Sequence, residues 1–141
     1  MNTFMKTNMI LPLLLSFLLL HCAGTGDEKQ SGPVRGFKDV TAEQAFQLIQ
    51  NEKGLIILDV RTKAEFNEGH IKNAVNKDFQ SSDFTSLLDT LDKKSPYLLY
   101  CRSGNRSTKT LKKMGEMGFI RIDHLSKGLN EWKKNGYSVV K

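Results

Sequence analysis

Cys101 stands at the end of an apolar run, Tyr97 to Tyr100. Arg102, Ser103, Gly104, Asn105, Arg106 and Ser107 follow at once. A thiol becomes a nucleophile only as the thiolate, so its surroundings decide what it can do. Backbone N–H groups in a short loop and in the first turn of a following helix point at whatever lies before them. Together with Arg102 and Arg106, they favour negative charge on the sulfur. A lone cysteine is more often an inert core residue. The two arginines and the glycine packed around this one make a reactive sulfur the better reading.

The neighbouring residues have more modest expected roles. Arg102 points outward and attracts a small anionic substrate, or is simply solvated. Arg106 turns inward and ties the loop to a carboxylate, Asp59 or Glu65. Ser103 and Ser107 donate to negative charge held at the loop, while Ser107 alternatively only caps the helix. Gly104 and Asn105 complete the substrate-binding loop. Asp59 and Arg61 follow a strand end and read as a supporting salt bridge. Trp132 reads as core. His124 has no partner at metal-ligand spacing, and no His/Cys cluster exists, so neither a metal nor another cofactor is expected.

Elements that could position this loop are legible from pattern. Short apolar runs alternate with helical segments, as in an α/β domain with a mainly parallel sheet. Strands are expected at 37–40, 55–60, 74–76, 97–100 and 119–122. Thr41 with Gln44, and Thr62 with Glu65, have capping-box spacing and open two helices. Phe84, Leu87, Leu88 and Leu91 form one helix face. A further helix is expected from about Ser107, with Gly115 allowing close approach and Gly118 at its end. A last helix covers 129–134. Cys101 then lies just past the carboxyl end of a buried strand, where open α/β sheets bind ligands.

The chain has 141 residues, enough for one domain and a short extension. Lys and Arg number 21 against 15 Asp and Glu, a net charge of +6. The excess is dispersed and is not interleaved with aromatics, which argues against nucleic-acid binding and leaves room for a small anionic substrate. Residues 1–21 carry Lys6 and then an apolar run, Ile10 to Leu20, of signal-peptide length. Cys22 follows, and residues 22–36 form a polar, Gly-containing tether. This resembles a bacterial lipoprotein signal, which implies lipid attachment at Cys22 and an exported, membrane-anchored protein of the cell envelope. His21 stands where such signals usually carry a small residue. A plain secretory signal with a soluble periplasmic product, and an uncleaved anchor, are the alternatives.

Four residues separate Cys101 from Arg106. Cysteine-type phosphatases place five there, and the smaller ring suits a single sulfur atom better than a tetrahedral phosphoryl group. The C-R-x-G-x-R-S loop, Cys101 to Ser107, resembles that of the rhodanese (thiosulfate sulfurtransferase) family. So do D-V-R at Asp59 to Arg61, E-F-x-x-G-H-I from Glu65 to Ile71, Ala74 with Asn76, Gly118-Phe119, and G-x-x-x-W from Gly128 to Trp132. Lys127 departs from the pattern, since many members have a first glycine there. The resemblance covers residues 37–141. It implies a single rhodanese-like domain with a central, mainly parallel sheet of about five strands and helices on both faces. It further implies that Cys101 takes sulfur from a small anionic donor such as thiosulfate and passes it to cyanide or a thiol, with no obligatory histidine partner. The alternative is a persulfide carrier or redox partner served by another protein.

Overall fold

The structure is a computed structural model, and it describes residues 36–141. The expected signal segment, Cys22 and the tether lie outside the described residues, except Gly36, which opens the first strand. The elements run β1 (Gly36–Val40), α1 (Ala42–Asn51), β2 (Ile56–Asp59), α2 (Lys63–Glu68), β3 (Val75–Asn76), α3 (Phe84–Asp89), β4 (Pro96–Tyr100), α4 (Asn105–Glu116), β5 (Arg121–Leu125) and α5 (Gly128–Lys134).

Local chemistry sets where the first two helices begin. The Thr41 hydroxyl accepts from the Gln44 amide, and the Gln44 side chain accepts from the Thr41 amide. Thr62 and Glu65 repeat this reciprocal cap. Each box satisfies two backbone donors that a helix end otherwise leaves unpaired.

The five strands form one parallel sheet in the order β1-β5-β4-β2-β3. Successive residues of a strand face opposite sides, so the central strand divides two cores. Leu98 and Tyr100 pack with Ala45 of α1 and with Leu129 and Trp132 of α5. Tyr97, Leu99 and Cys101 pack on the other face with Phe84 and Leu88 of α3 and Met114 of α4. Trp132 is buried, and its indole N–H donates to the Ser138 carbonyl at 2.9 Å. A parallel sheet with helices on both faces is the expected architecture.

Three boundaries differ from expectation by more than one residue. The fourth helix begins at Asn105 rather than Ser107, because Gly104 takes a left-handed conformation and turns the chain directly into the helix. Leu91 lies beyond α3, which ends at Asp89. The last strand is Arg121–Leu125 rather than 119–122. Its polar residues Arg121, Asp123 and His124 hide it from an apolar pattern, yet each finds a partner: Glu52 and Lys38 reach the first two, and Asp39 the third. Phe119 precedes the strand and meets the Tyr97 ring edge-on, with centroids 5.4 Å apart.

Candidate active site

β4 delivers Cys101 to the carboxyl edge of the sheet between its two neighbours, β2 and β5. The residue is buried, about 1% exposed. Two glycines make the loop possible. Gly104 has φ +100°, and a Cβ there would lie 1.9 Å from the Ser126 carbonyl oxygen. Gly128 has φ +63°, and its Cβ would lie 2.5 Å from the Cys101 carbonyl oxygen. Close packing of these two segments lets the first turn of α5 satisfy the loop's carbonyls. The Leu129 amide donates to Cys101 O at 2.8 Å, and the Asn130 amide donates to Arg102 O at 3.0 Å. Lys127 has φ −98°, a conformation open to any residue, so the missing family glycine costs the turn nothing.

With the carbonyls turned away, donors are free to face the sulfur. The Gly104 amide reaches Cys101 Sγ at 3.2 Å, and Ser107 Oγ lies 3.3 Å from it. Burial pushes the Cys101 thiol up. The Ser107 hydroxyl and the amides of Ser107, Ser103 and Gly104 outweigh it, so the thiol lies below its ordinary value. Ser107 is not the helix cap. It lies in the first turn of α4, and its hydroxyl is also 3.0 Å from Gly104 O and 2.8 Å from His124 Nε2.

Arg106 turns inward. Its Nη1 and Nη2 donate to the two oxygens of Glu65 at 2.6 and 2.7 Å. Glu65, not Asp59, is therefore its partner, and one carboxylate both caps α2 and clamps the loop. Asp59 is committed to Arg61. Its carboxylate accepts from the Arg61 amide at 2.8 Å and from the guanidinium at 2.8 to 3.1 Å. Arg61 Nη2 also donates to Gly69 O at 2.8 Å. Arg102, Ser103 and Asn105 are exposed. A cleft of about 340 Å³, bordered by Arg61, Glu65, Arg102, Leu129 and Lys133, opens beside the loop. His70 stacks on Phe66, with centroids 3.7 Å apart.

The hydrogen bonds from Arg106 hold the Glu65 carboxyl down at about 2, against opposing burial and with help from the amide and hydroxyl of Thr62. A carboxyl lowered on folding contributes stability that is complete above its unfolded value, near 4.5, and is lost as pH falls through about 2. Glu65→Gln is therefore expected to lower stability by roughly 2–3 kcal/mol at pH 7, with the gap to wild type narrowing below about pH 4. Urea melts at pH 7, 4 and 2.5 check this. A gap independent of pH would show that the ion pair contributes nothing.

Sequence reasoning missed His124. The ring is 2% exposed and bridges Ser107 to Asp39, with Nδ1 2.8 Å from Asp39 Oδ1. No histidine touches the sulfur directly among the described residues, yet a buried one lies one hydroxyl away from it. Its partners are 17 and 85 residues distant, so no local spacing announces it.

Comparison with known proteins agrees with the fold. Residues 41–135 match the family described as Rhodanese-like domain. YtwF of Bacillus subtilis (strain 168) is 31% identical over 96 residues, which are 68% of this chain and 90% of that protein. Thiosulfate sulfurtransferase GlpE of Coxiella burnetii is 28% identical over 97 residues, 69% of this chain and 88% of its own length. The crystal structure of a rhodanese-related protein from Thermoplasma volcanium superposes with a TM-score of 0.65 at 26% identity, covering 73% of this chain and 97% of that one. With a parallel five-stranded sheet that ends its central strand in a cysteine loop, and with two thirds of its length matched, the chain belongs to the rhodanese-like family.

Proposed function

We propose that the protein is a sulfurtransferase that works through a persulfide on Cys101. The observation that carries this reading is the sulfur itself, held at the start of α4 with the Gly104 amide at 3.2 Å and the Ser107 hydroxyl at 3.3 Å. The thiolate attacks the outer sulfur of thiosulfate. The S–S bond of thiosulfate breaks, and sulfite leaves with the electron pair. Sulfite is a stable anion, so no acid is needed at that step. The persulfide Cys101–S–S⁻ keeps the negative charge within reach of the loop amides, which act as an oxyanion hole does for oxygen. Arg102 and Lys133, both exposed at the cleft, draw the dianionic donor in. Cyanide or a thiol then removes the outer sulfur. The name of the Coxiella burnetii relative supports the choice of thiosulfate as donor.

Sequence features support an exported, lipid-anchored protein, with residues 1–21 removed and Cys22 carrying the lipid. Metabolic labelling with a radioactive fatty acid, lost in Cys22→Ala, is the expected result. Label retained in that variant overturns this placement.

Intact mass tests the chemistry. After thiosulfate treatment the wild type is expected to gain one sulfur, about 32 Da, which cyanide discharges, while Cys101→Ser gains nothing. An adduct on Cys101→Ser overturns the assignment. No adduct on either protein removes thiosulfate as donor. Loading from a protein persulfide instead would favour a sulfur carrier.

A further inference from the structure

We propose that Asp39, His124 and Ser107 form a proton relay that takes the proton from the Cys101 thiol and keeps it inside the protein as an imidazolium, so that the sulfur is a thiolate before any donor arrives. The inference rests on the sulfurtransferase reading only for its purpose. The relay itself is a statement about one proton.

Hydrogen-bond roles fix the direction. The Asp39 carboxylate can only accept, so the Nδ1 beside it carries a hydrogen whether the ring is neutral or charged. A neutral His124 then presents a bare Nε2 in the core, and Ser107 is 2.8 Å away to donate to it. The serine has one hydrogen. With that hydrogen on the histidine side, its oxygen faces the sulfur as an acceptor for Cys101 S–H, across 3.3 Å.

The second arrangement needs no heavy atom to move. The S–H bond breaks as the proton passes to Ser107 Oγ. The O–H bond of Ser107 breaks in the same step as its proton passes to His124 Nε2, so no alkoxide forms. Ser107 now donates to the thiolate, Nε2–H donates to Ser107, and Nδ1–H donates to Asp39. The pair changes from neutral thiol and neutral ring to thiolate and imidazolium with no net gain or loss of protons. Every buried group is satisfied in both states, which a buried polar network requires.

The fold explains why these three side chains meet. His124 shares a sheet face with Ile122, the face that packs on α4, so it points at Ser107. Asp39 is the register partner of His124 on the edge strand. His124 is sealed, at 2% exposed, while the Asp39 side chain is 68% exposed, so the relay runs from a dry sulfur to a wet carboxylate. Among the described residues, the charged or titratable groups facing the ring are Asp39 from β1 and, through Ser107 of α4, Cys101. Leu99, its register partner on β4, carries no charge. Asp123 points to the opposite face and is engaged by Lys38 and Arg121. Facing the sulfur are Arg106, neutralised by Glu65, and beyond it the Asp59–Arg61 pair. Among the described residues, no other titratable base lies within hydrogen-bond reach of the sulfur or of Ser107; Gly104 O, 3.0 Å from Ser107 Oγ, already accepts from the amide and hydroxyl of Thr108.

Thiolate ultraviolet absorbance against pH, with Cys101→Ser as baseline, reads the relay directly and requires neither turnover nor access to the sulfur. His124→Gln keeps hydrogen-bonding capacity but cannot hold the proton. It is expected to raise the midpoint of thiolate formation by about one pH unit, so thiolate on the acid limb falls about tenfold. Asp39→Asn, at an exposed position, is expected to shift the midpoint in the same direction by about half as much. Thermal melts establish that each variant is folded. Midpoints in both variants that coincide with wild type overturn the relay and leave His124 a structural bridge. The same variants loaded with thiosulfate separate the two readings. A wild-type protein that shows the low midpoint but gains no sulfur removes thiosulfate as donor and leaves the relay standing.

Discussion

Gly104→Ala is expected to disable the site while leaving most of the fold in place. The added methyl would sit 1.9 Å from the backbone oxygen of Ser126, and that oxygen belongs to the segment leading into α5, not to a side chain able to swing aside. The left-handed backbone, at φ +100°, adds strain for any residue with a Cβ. The loop must therefore retreat from residues 126–130. It then loses the Gly104 amide on the sulfur, the Ser107 contact to Gly104 O and the bonds from Leu129 and Asn130. A displacement of about 1 Å at reacting atoms costs on the order of 100-fold in rate, and relief of the clash about 1–3 kcal/mol in stability. Sulfur loading followed by mass, beside a thermal melt, checks both. Wild-type loading in a protein of wild-type stability would show that the 101–104 loop does not depend on its contact with residues 126–130.

Asp59→Asn has the larger expected effect on the fold itself. Asp59 is fully buried and Arg61 is 4% exposed, so the variant leaves a guanidinium in the core without its counter-charge. Burial alone pulls the Arg61 cation toward losing its proton. The hydrogen bonds and charge of Asp59 more than offset this, and the pKa is raised. Breaking such a buried pair from one side costs about 3–5 kcal/mol. In a domain of this size that corresponds to a fall in Tm of roughly 10–25 °C. The double variant Asp59→Leu with Arg61→Met removes both charges together and is expected to recover most of the loss, because the cost lies in the unpaired charge. Equal destabilisation in the two variants would instead assign the loss to the contacts made through Gly69 O and Tyr100. The segment from Asp59 to Arg61 also holds Asn76 of β3 through two backbone carbonyls, so the edge of the sheet loosens with it.

Local rules carried the sequence reading wherever the cause was local. Thr41 with Gln44 and Thr62 with Glu65 began their helices where the three-residue spacing placed them, because a capping box is satisfied within one turn. The runs at Ile56–Asp59 and Pro96–Tyr100 were legible because strands buried on both faces need little besides apolar side chains. The cysteine loop was legible because its parts are consecutive. The strand at Arg121–Leu125 was not, since three of its five residues are polar and become acceptable in the interior only through partners on other elements.

Tertiary structure decided which partner each charged group takes. Asp59 and Glu65 were equal candidates for Arg106 by composition. The fold gives Asp59 to Arg61 and turns Glu65, already the cap of α2, onto the loop. It also placed His124 behind Ser107. Sheet register sets Asp39 beside His124, and side-chain alternation aims the ring at α4. Neither has a signature in local spacing, because both arise from the pairing of a strand at one end of the domain with a strand at the other. The sequence by itself thus determined the fold class and the sulfur that carries the candidate chemistry. The network of charges and protons behind that sulfur came only with the packing, since hydrogen bonds across 17 to 85 residues depend on which strands lie side by side.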